Sequence, residues 1–214
     1  MDFISQEIIN YSEEHTTPES SVLKELNRET NAKVLMPRML SGHLQGRILS
    51  MFSHMVQPKR ILEIGTYTGY SAICLSEGLA EGGMLHTIDI NEELKPMALK
   101  YFSMSGCEQK IKLHTGDALL IIPALNETWD IVFIDADKKN YSVYFDMVIT
   151  KVRKGGYIIA DNVLWSGKVL EDPAGMDSDT KAITAFNEKI HSDPRVENIL
   201  LPVRDGLLIA RIKI

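Results

Sequence analysis

Arg60-Ile61-Leu62-Glu63-Ile64-Gly65-Thr66-Tyr67-Thr68-Gly69-Tyr70-Ser71 is the stretch on which the reading of this chain turns. It opens with an apolar run, Ile61, Leu62 and Ile64, of the kind that forms a buried parallel strand. Glu63 interrupts the run, and a buried carboxylate is costly unless something pairs with it. Gly65 and Gly69 bracket a tight loop that another backbone or a ligand can approach closely. From Tyr70 the pattern turns helical. A strand, a Gly loop and a helix N-terminus make a ligand seat, because the free N–H groups of the first turn face its occupant. The dinucleotide fingerprint G-x-G-x-x-G fails, since Tyr67 stands where its second Gly belongs. The phosphate loop ending in Gly-Lys-Ser/Thr is also missing from the stretch. What remains suits a ligand with an amino-acid head. A second apolar run, Met84 to Asp89, ends in an acid 24 positions after Gly65. Such an acid, about 20 residues past a Gly loop, holds ribose hydroxyls.

Working outward, strands alternate with helices on the C-terminal side. Strand patterns cover Ile61–Ile64, Leu85–Asp89, Ile111–Thr115, Trp129–Asp135 and Gly155–Asn162, with helical patterns over 71–79, 92–104, 118–125, 141–152 and 177–191. Val196–Pro202 and Gly206–Lys213 read as a closing antiparallel pair. The pattern predicts an α/β fold with a mostly parallel sheet covered on both faces. On the N-terminal side the chain reads as helices alone: Asp2 to Glu14, a helix capped by Thr17 with Pro18 in its first turn, and Leu44 to Val56 with Ile48, Leu49, Phe52 and Met55 inward. Between the last two lies Val34-Leu35-Met36-Pro37-Arg38-Met39-Leu40-Ser41-Gly42, too apolar for a plain linker and placed to cover a site.

Composition narrows the class. The 214 residues are 44% hydrophobic and 24% charged, with a net charge of −6, an ordinary balance for one soluble domain. The acidity argues against a nucleic-acid binder, which usually presents a basic face. There is no apolar run of about 20 residues, as a membrane span needs, and the first residues carry no signal-peptide pattern. Cys74 and Cys107 have no metal-ligand spacing and read as reduced thiols of a cytoplasmic protein, with Cys74 in the core.

In open α/β sheets, ligands bind beyond the carboxyl ends of the strands. This chain places Glu63, Gly65, Asp89, Asp117, Asp135, Asp137, Asp161 and Asn162 there. One such acid reads as a helix cap; all of them together read as a site. Asp135, Asp161 and Asn162 offer only oxygens, which select a hard divalent ion, Mg²⁺, Ca²⁺ or Mn²⁺, over Zn²⁺. Lys138 lies on the same rim, where a neighbouring cation favours its acting as a base.

A Gly loop with a ribose acid and no diphosphate signature resembles the S-adenosylmethionine (SAM) methyltransferases. More closely, the run from about Ala32 onward resembles the metal-dependent O-methyltransferases of the catechol and caffeoyl-coenzyme A type. The likeness is carried by 62–71, by Ile134-Asp135-Ala136-Asp137-Lys138-Lys139-Asn140-Tyr141, by Asp161-Asn162-Val163-Leu164-Trp165-Ser166-Gly167 and by Leu201-Pro202-Val203-Arg204-Asp205-Gly206. It implies a Rossmann-like domain of seven strands over 1–214, with N-terminal helices and a cover in 1–57 and the core in 58–214, assembled as a homodimer. It also implies roles. Met39 and Ser41 lie in the loop over SAM; Glu63, Gly65 and Ser71 hold its amino-acid end, Asp89 its ribose, and Ala118 lies by the adenine. Asp135, Asp161 and Asn162 are the metal ligands, with Asp135 and Asp137 near the cofactor. Lys138 is the base and Trp165 walls the acceptor pocket. Two positions depart from the pattern. Arg204 stands at the substrate mouth where many relatives have Gly, and Leu208 stands where the animal catechol enzyme has a pocket Glu.

The expected reaction is SAM-dependent methylation of a vicinal aromatic diol such as catechol, caffeate or protocatechuate. The acidic segment from Lys168 to Asp179 and the apolar cover favour a small phenol. A hydroxylated uridine in tRNA stays open as the acceptor, because Arg38, Arg47, Lys59, Arg60 and Arg204 could gather into a basic patch. A SAM-binding regulator without catalysis is a further alternative.

Overall fold

The computed structural model describes residues 4–213; the start of the first predicted helix, at Asp2 and Phe3, lies outside them. Packing divides the described chain into two compact units, Gln6–Ile121 and the residues from Ile122 onward.

The first unit opens with helices α1 (Gln6–Glu14), α2 (Ser21–Lys33) and α3 (Gly42–Val56). Ser20, not Thr17, caps α2: it sits in an extended conformation and its hydroxyl accepts from Leu23 N at 3.2 Å. The Thr17 carbonyl is engaged instead by the His43 ring at 2.8 Å. Strands β1 (Arg60–Ile64), β2 (Met84–Asp89) and β3 (Ile111–Thr115) pair in parallel, with Glu63 beside Thr87 and Asp89 beside Thr115. Helix α4 (Tyr70–Ser76), buried at every residue, follows β1, and α5 (Lys95–Met104) follows β2.

The predicted inward face of α3 needs correction. Leu49 is fully buried, but Met55 is 74% exposed; Ile48 and Phe52 are half-buried. The buried stripe is Gln45, Gly46, Leu49, Ser50 and Ser53. The seam between α3 and α4 is too close for large side chains. A Cβ on Gly46 would lie 2.6 Å from Tyr70 Cε1, and one on Gly78 would lie 2.2 Å from the Ser53 carbonyl carbon. Small residues therefore take the seam, and of the four predicted inward residues Leu49 is buried while Met55 is not.

The second unit is built on β4 (Trp129–Ile134), whose Trp129, Ile131, Val132, Phe133 and Ile134 are all fully buried. That continuous burial is what a strand covered on both faces demands. Helix α6 (Ala118–Ala124) precedes it in sequence and α7 (Tyr141–Val148) follows it. Strand β5 (Val152–Asp161) pairs parallel to β4. It begins earlier than Gly155, because the chain tightens into a 3-10 turn at Ile149–Lys151 and Val152 already pairs with Trp129. Helix α8 (Ser178–Ser192) and strands β6 (Val196–Leu201) and β7 (Leu207–Ile212) complete the unit. β7 runs antiparallel to both β5 and β6. The strand order is β3-β2-β1-β4-β5-β7-β6, the seven-stranded, mostly parallel, Rossmann-like sheet with a reversed last strand that the sequence predicts. Among the described residues no helix is long and apolar enough to cross a membrane.

Candidate active site

In the first unit, the loop after β1 takes a path few residues allow. Gly65 and Gly69 have φ of 104° and 91°, and Tyr67 between them has φ of 50°. Gly65 N donates to the Ile88 carbonyl at 2.9 Å, holding the loop against β2. Glu63 is fully buried, and Thr87 Oγ1 donates to its Oε2 at 2.5 Å. The Thr66 and Thr87 hydroxyls lie 2.5 Å apart; because Thr87 gives its proton to Glu63, Thr66 is the donor in that pair. The Asp89 carboxylate accepts Tyr67 N at Oδ2 (2.6 Å) and Asn91 N at Oδ1 (2.8 Å). Both oxygens are thereby oriented, and each keeps a lone pair for a ligand hydroxyl. Ser71 is buried in the first turn of α4. Thr30 Oγ1, on α2, donates to Thr68 Oγ1 at 3.2 Å and ties that helix to the loop. The sequence reading passed over Thr66 and Thr87. A polar residue inside the apolar β2 run was the available signal.

The apolar segment before α3 is not core. Leu35 is 89% exposed, Met36 and Met39 are exposed, and only Leu40 and Ser41 are buried. It forms a 3-10 turn at Pro37–Met39, and the Tyr67 hydroxyl donates to the Leu35 and Met36 carbonyls at 3.4 and 3.3 Å.

In the second unit, the turns after β4 and β5 bring four of the predicted residues together. Lys138 Nζ donates to Asp135 Oδ1 (3.2 Å), Asn162 Oδ1 (2.8 Å) and Tyr141 OH (2.6 Å), using all three of its N–H directions. Asn162 reaches this point through a left-handed backbone, φ 60°. Asp161 is buried, and its Oδ1 accepts from Asn162 N at 2.7 Å. Tyr141 OH, in turn, donates to the Asp161 carbonyl at 3.1 Å. Burial, reinforced by the charges of Asp135 and Asp161, pushes the Tyr141 phenol well above its ordinary value, so it stays a donor. The Trp165 ring stands 5.7 Å from Lys138 Nζ. In the sequence Tyr141 has no role beyond ending the 134–141 motif and opening a helix; its spacing of three from Lys138, which places both on one helical side, is the signal that points to it.

Residues 13–213 match the family model described as O-methyltransferase. The chain belongs to the O-methyltransferase family. Caffeoyl-CoA O-methyltransferase 5 of Nicotiana tabacum is 35% identical over 221 residues, covering 98% of this chain and 91% of the relative. An O-methyltransferase of Bacillus cereus, solved in complex with SAH, is 30% identical with a TM-score of 0.89, covering 97% of each chain. The O-methyltransferase TomG of Streptomyces achromogenes, involved in tomaymycin synthesis and solved with SAM, is 27% identical with a TM-score of 0.89, covering 99% of this chain and 100% of that one.

The remaining candidates in this O-methyltransferase are placed as follows. Each Asp137 oxygen accepts one bond, from Tyr144 OH at 2.5 Å and Asn140 Nδ2 at 2.6 Å. Asp117 Oδ1 accepts from Leu119 N, opening the helix that Ala118, itself buried, begins. Arg204 has φ of 51°, a left-handed backbone in which Gly is at ease. Its turn is bonded to the Trp165 loop: Leu164 N donates to the Asp205 carbonyl at 2.9 Å, and Ser166 N to Asp205 Oδ1. Leu208 is buried between Ala160 and Leu200. Arg47 drops out of any basic patch, since it pairs with Glu77 at 2.9 Å. Cys74 beside it is fully buried, and burial pushes its thiol up to about 12.

Proposed function

We propose that this O-methyltransferase transfers the methyl group of SAM to one hydroxyl of a small vicinal aromatic diol, with a divalent cation, Mg²⁺ first, holding the diol. One observation carries the reading: oxygens of Asp135 and Asn162 converge on a single cation, the Lys138 ammonium, at 3.2 and 2.8 Å. An all-oxygen set of that kind fits a hard divalent ion. At the ammonium it comprises one acid and one amide, with a second acid, Asp161, next to Asn162 in the chain; among the described residues no three His, Cys, Asp or Glu side chains form a group that could hold a metal ion. Asp135, Asp161 and Asn162 would hold the ion. When bound, it supplies positive charge that lowers the pKa of the reacting hydroxyl.

The chain's own residues do the rest. Gly65 and the first turn of α4, with Glu63 and Ser71, would receive the amino-acid end of SAM, and the two oriented oxygens of Asp89 its ribose. Ala118 would lie by the adenine. The exposed segment with Met39 and the buried Ser41 would cover the cofactor. Lys138 Nζ, in its neutral amine form, would take the proton from the acceptor hydroxyl, and the Trp165 ring would wall the acceptor. Most of the acceleration then comes from holding the two reactants in line, worth up to roughly 7–11 kcal/mol in favourable models. The presence of Lys138 among the oxygens supports an enzyme rather than a SAM-binding regulator. The net charge of −6 supports a small phenol over tRNA, whose binding rests on neutralised phosphates.

A competition tests the reading: purified enzyme, labelled SAM and Mg²⁺, with a catechol panel against hydroxyuridine-bearing tRNA, with and without EDTA. Methylation of vicinal diols but not monophenols, abolished by EDTA, is expected. A much higher kcat/KM on tRNA, or full activity in EDTA, overturns it.

A further inference from the structure

The side chain at position 67 has work that the Gly loop alone does not explain. Tyr67 sits at φ 50°, where Gly is at ease and a bulky residue is an outlier. Its side chain must therefore offset a backbone cost that Gly would not carry. Three bonds leave this one residue. Its N–H orients Asp89 Oδ2 at 2.6 Å, and its hydroxyl donates to two successive carbonyls, Leu35 at 3.4 Å and Met36 at 3.3 Å. Met36 is itself left-handed, at φ 63°, so the joint brings two strained residues together. Leu40 and Ser41 anchor one end of the segment by burial, whereas Leu35, Met36 and Met39 are all exposed. Burial raises the Tyr67 phenol, which keeps the hydroxyl a donor at neutral pH.

We propose that Tyr67 is a positioning residue that latches the 34–41 segment onto the Gly loop, so that the cover is set by the same residue that orients the Asp89 carboxylate. The inference rests on the SAM site argued above. A ligand that settles Asp89 and the loop also fixes Tyr67, and through its hydroxyl the cover. Conversely, a cover already latched leaves less disorder for the ligand to remove.

The test compares wild type with Tyr67→Phe, which removes only the hydroxyl, and Tyr67→Gly, which relieves the backbone and removes the latch. SAM affinity is read by calorimetry, and amide exchange over 34–41 is followed with and without SAM. Two long, shared hydrogen bonds predict that Tyr67→Phe weakens SAM binding about three- to fivefold. SAM-induced protection of 34–41 is lost in that variant and kept elsewhere. With a catechol as acceptor, KM for SAM rises by the same factor while kcat falls less than twofold. Tyr67→Gly matches or exceeds the thermal stability of wild type and still binds SAM as weakly as Tyr67→Phe, which a merely structural role for the ring does not predict. Unchanged affinity and unchanged protection in Tyr67→Phe overturn the latch. Wild-type protein that binds no SAM instead overturns the cofactor reading on which it rests.

Discussion

Gly65 and Lys138 carry the sharpest expectations at the scale of single residues. At φ 104° Gly65 has a backbone that a β-branched residue resists, and in the proposed site its lack of a side chain would leave room for the cofactor. Gly65→Val is expected to cost about 1–3 kcal/mol of stability through that strain, while SAM binding falls below detection in calorimetry. A folded variant with unchanged SAM affinity would remove the loop from the site. Lys138 is the centre of the other cluster, and Lys138→Met should lose activity by about 100-fold or more at neutral pH while keeping SAM affinity. The defect should shrink as pH rises, because the acceptor then ionises without help. A loss of the same size at every pH assigns Lys138 to positioning rather than proton transfer.

At the scale of elements, the α3–α4 seam shows how close approach replaces hydrophobicity as the organising rule. Ser53 Oγ donates to the Leu75 carbonyl at 2.6 Å across it, and Ser50 Oγ to Glu77 Oε2 at 2.5 Å. Gly78 sits against the Ser53 backbone, where a Cβ would come within 2.2 Å. Backbone cannot yield as a side-chain tip can. Gly78→Ala should therefore destabilise the protein by about 1–3 kcal/mol, read as a shifted urea midpoint with an unchanged slope; no shift would mean the helices can separate at little cost. Helix α8 illustrates the opposite case, where local chemistry suffices. Asp177 caps it by accepting from Thr180 N at 2.7 Å, and that bond, followed by Lys168, holds the Asp177 carboxyl well below its ordinary range.

For the molecule as a whole, acid is the condition that should expose a tertiary clasp. Glu29 on α2 accepts from Lys100 Nζ and Tyr101 OH on α5, each at 2.5 Å, and from Lys33 at 3.0 Å. Those bonds, Lys100 first, lower the Glu29 carboxyl from 4.5 to about 2. A carboxylate whose folded value is depressed adds stability above its unfolded value and loses it as pH falls. The contribution of Glu29 should thus be complete above about 4.5 and gone near 2. Glu29→Gln should be less stable than wild type at neutral pH, with the two urea midpoints converging near pH 2. A gap that persists there would mean that the clasp acts through packing rather than charge.

Residue order by itself determined the strand framework. The strand patterns of β1, β2, β3 and β4 are short and bounded by turns, their boundaries fall within a residue or so of the structure, and the Gly loop and the acids that end the strands could be read directly. The start of α8 was legible to within one residue: the pattern begins the helix at Asp177, which the structure makes its cap. Tertiary structure alone decided what depends on distant approach. The buried face of α3 follows from its seam with α4, where volume outranks hydrophobicity. Thr87 joined Glu63 only through the register of two strands. Asn162 met Lys138, 24 residues away, only when the turns after β4 and β5 were folded. The exposure of Leu35, and its bond to Tyr67 thirty-two residues away, came from no local signal, because an apolar segment reads the same whether it enters a core or covers a site.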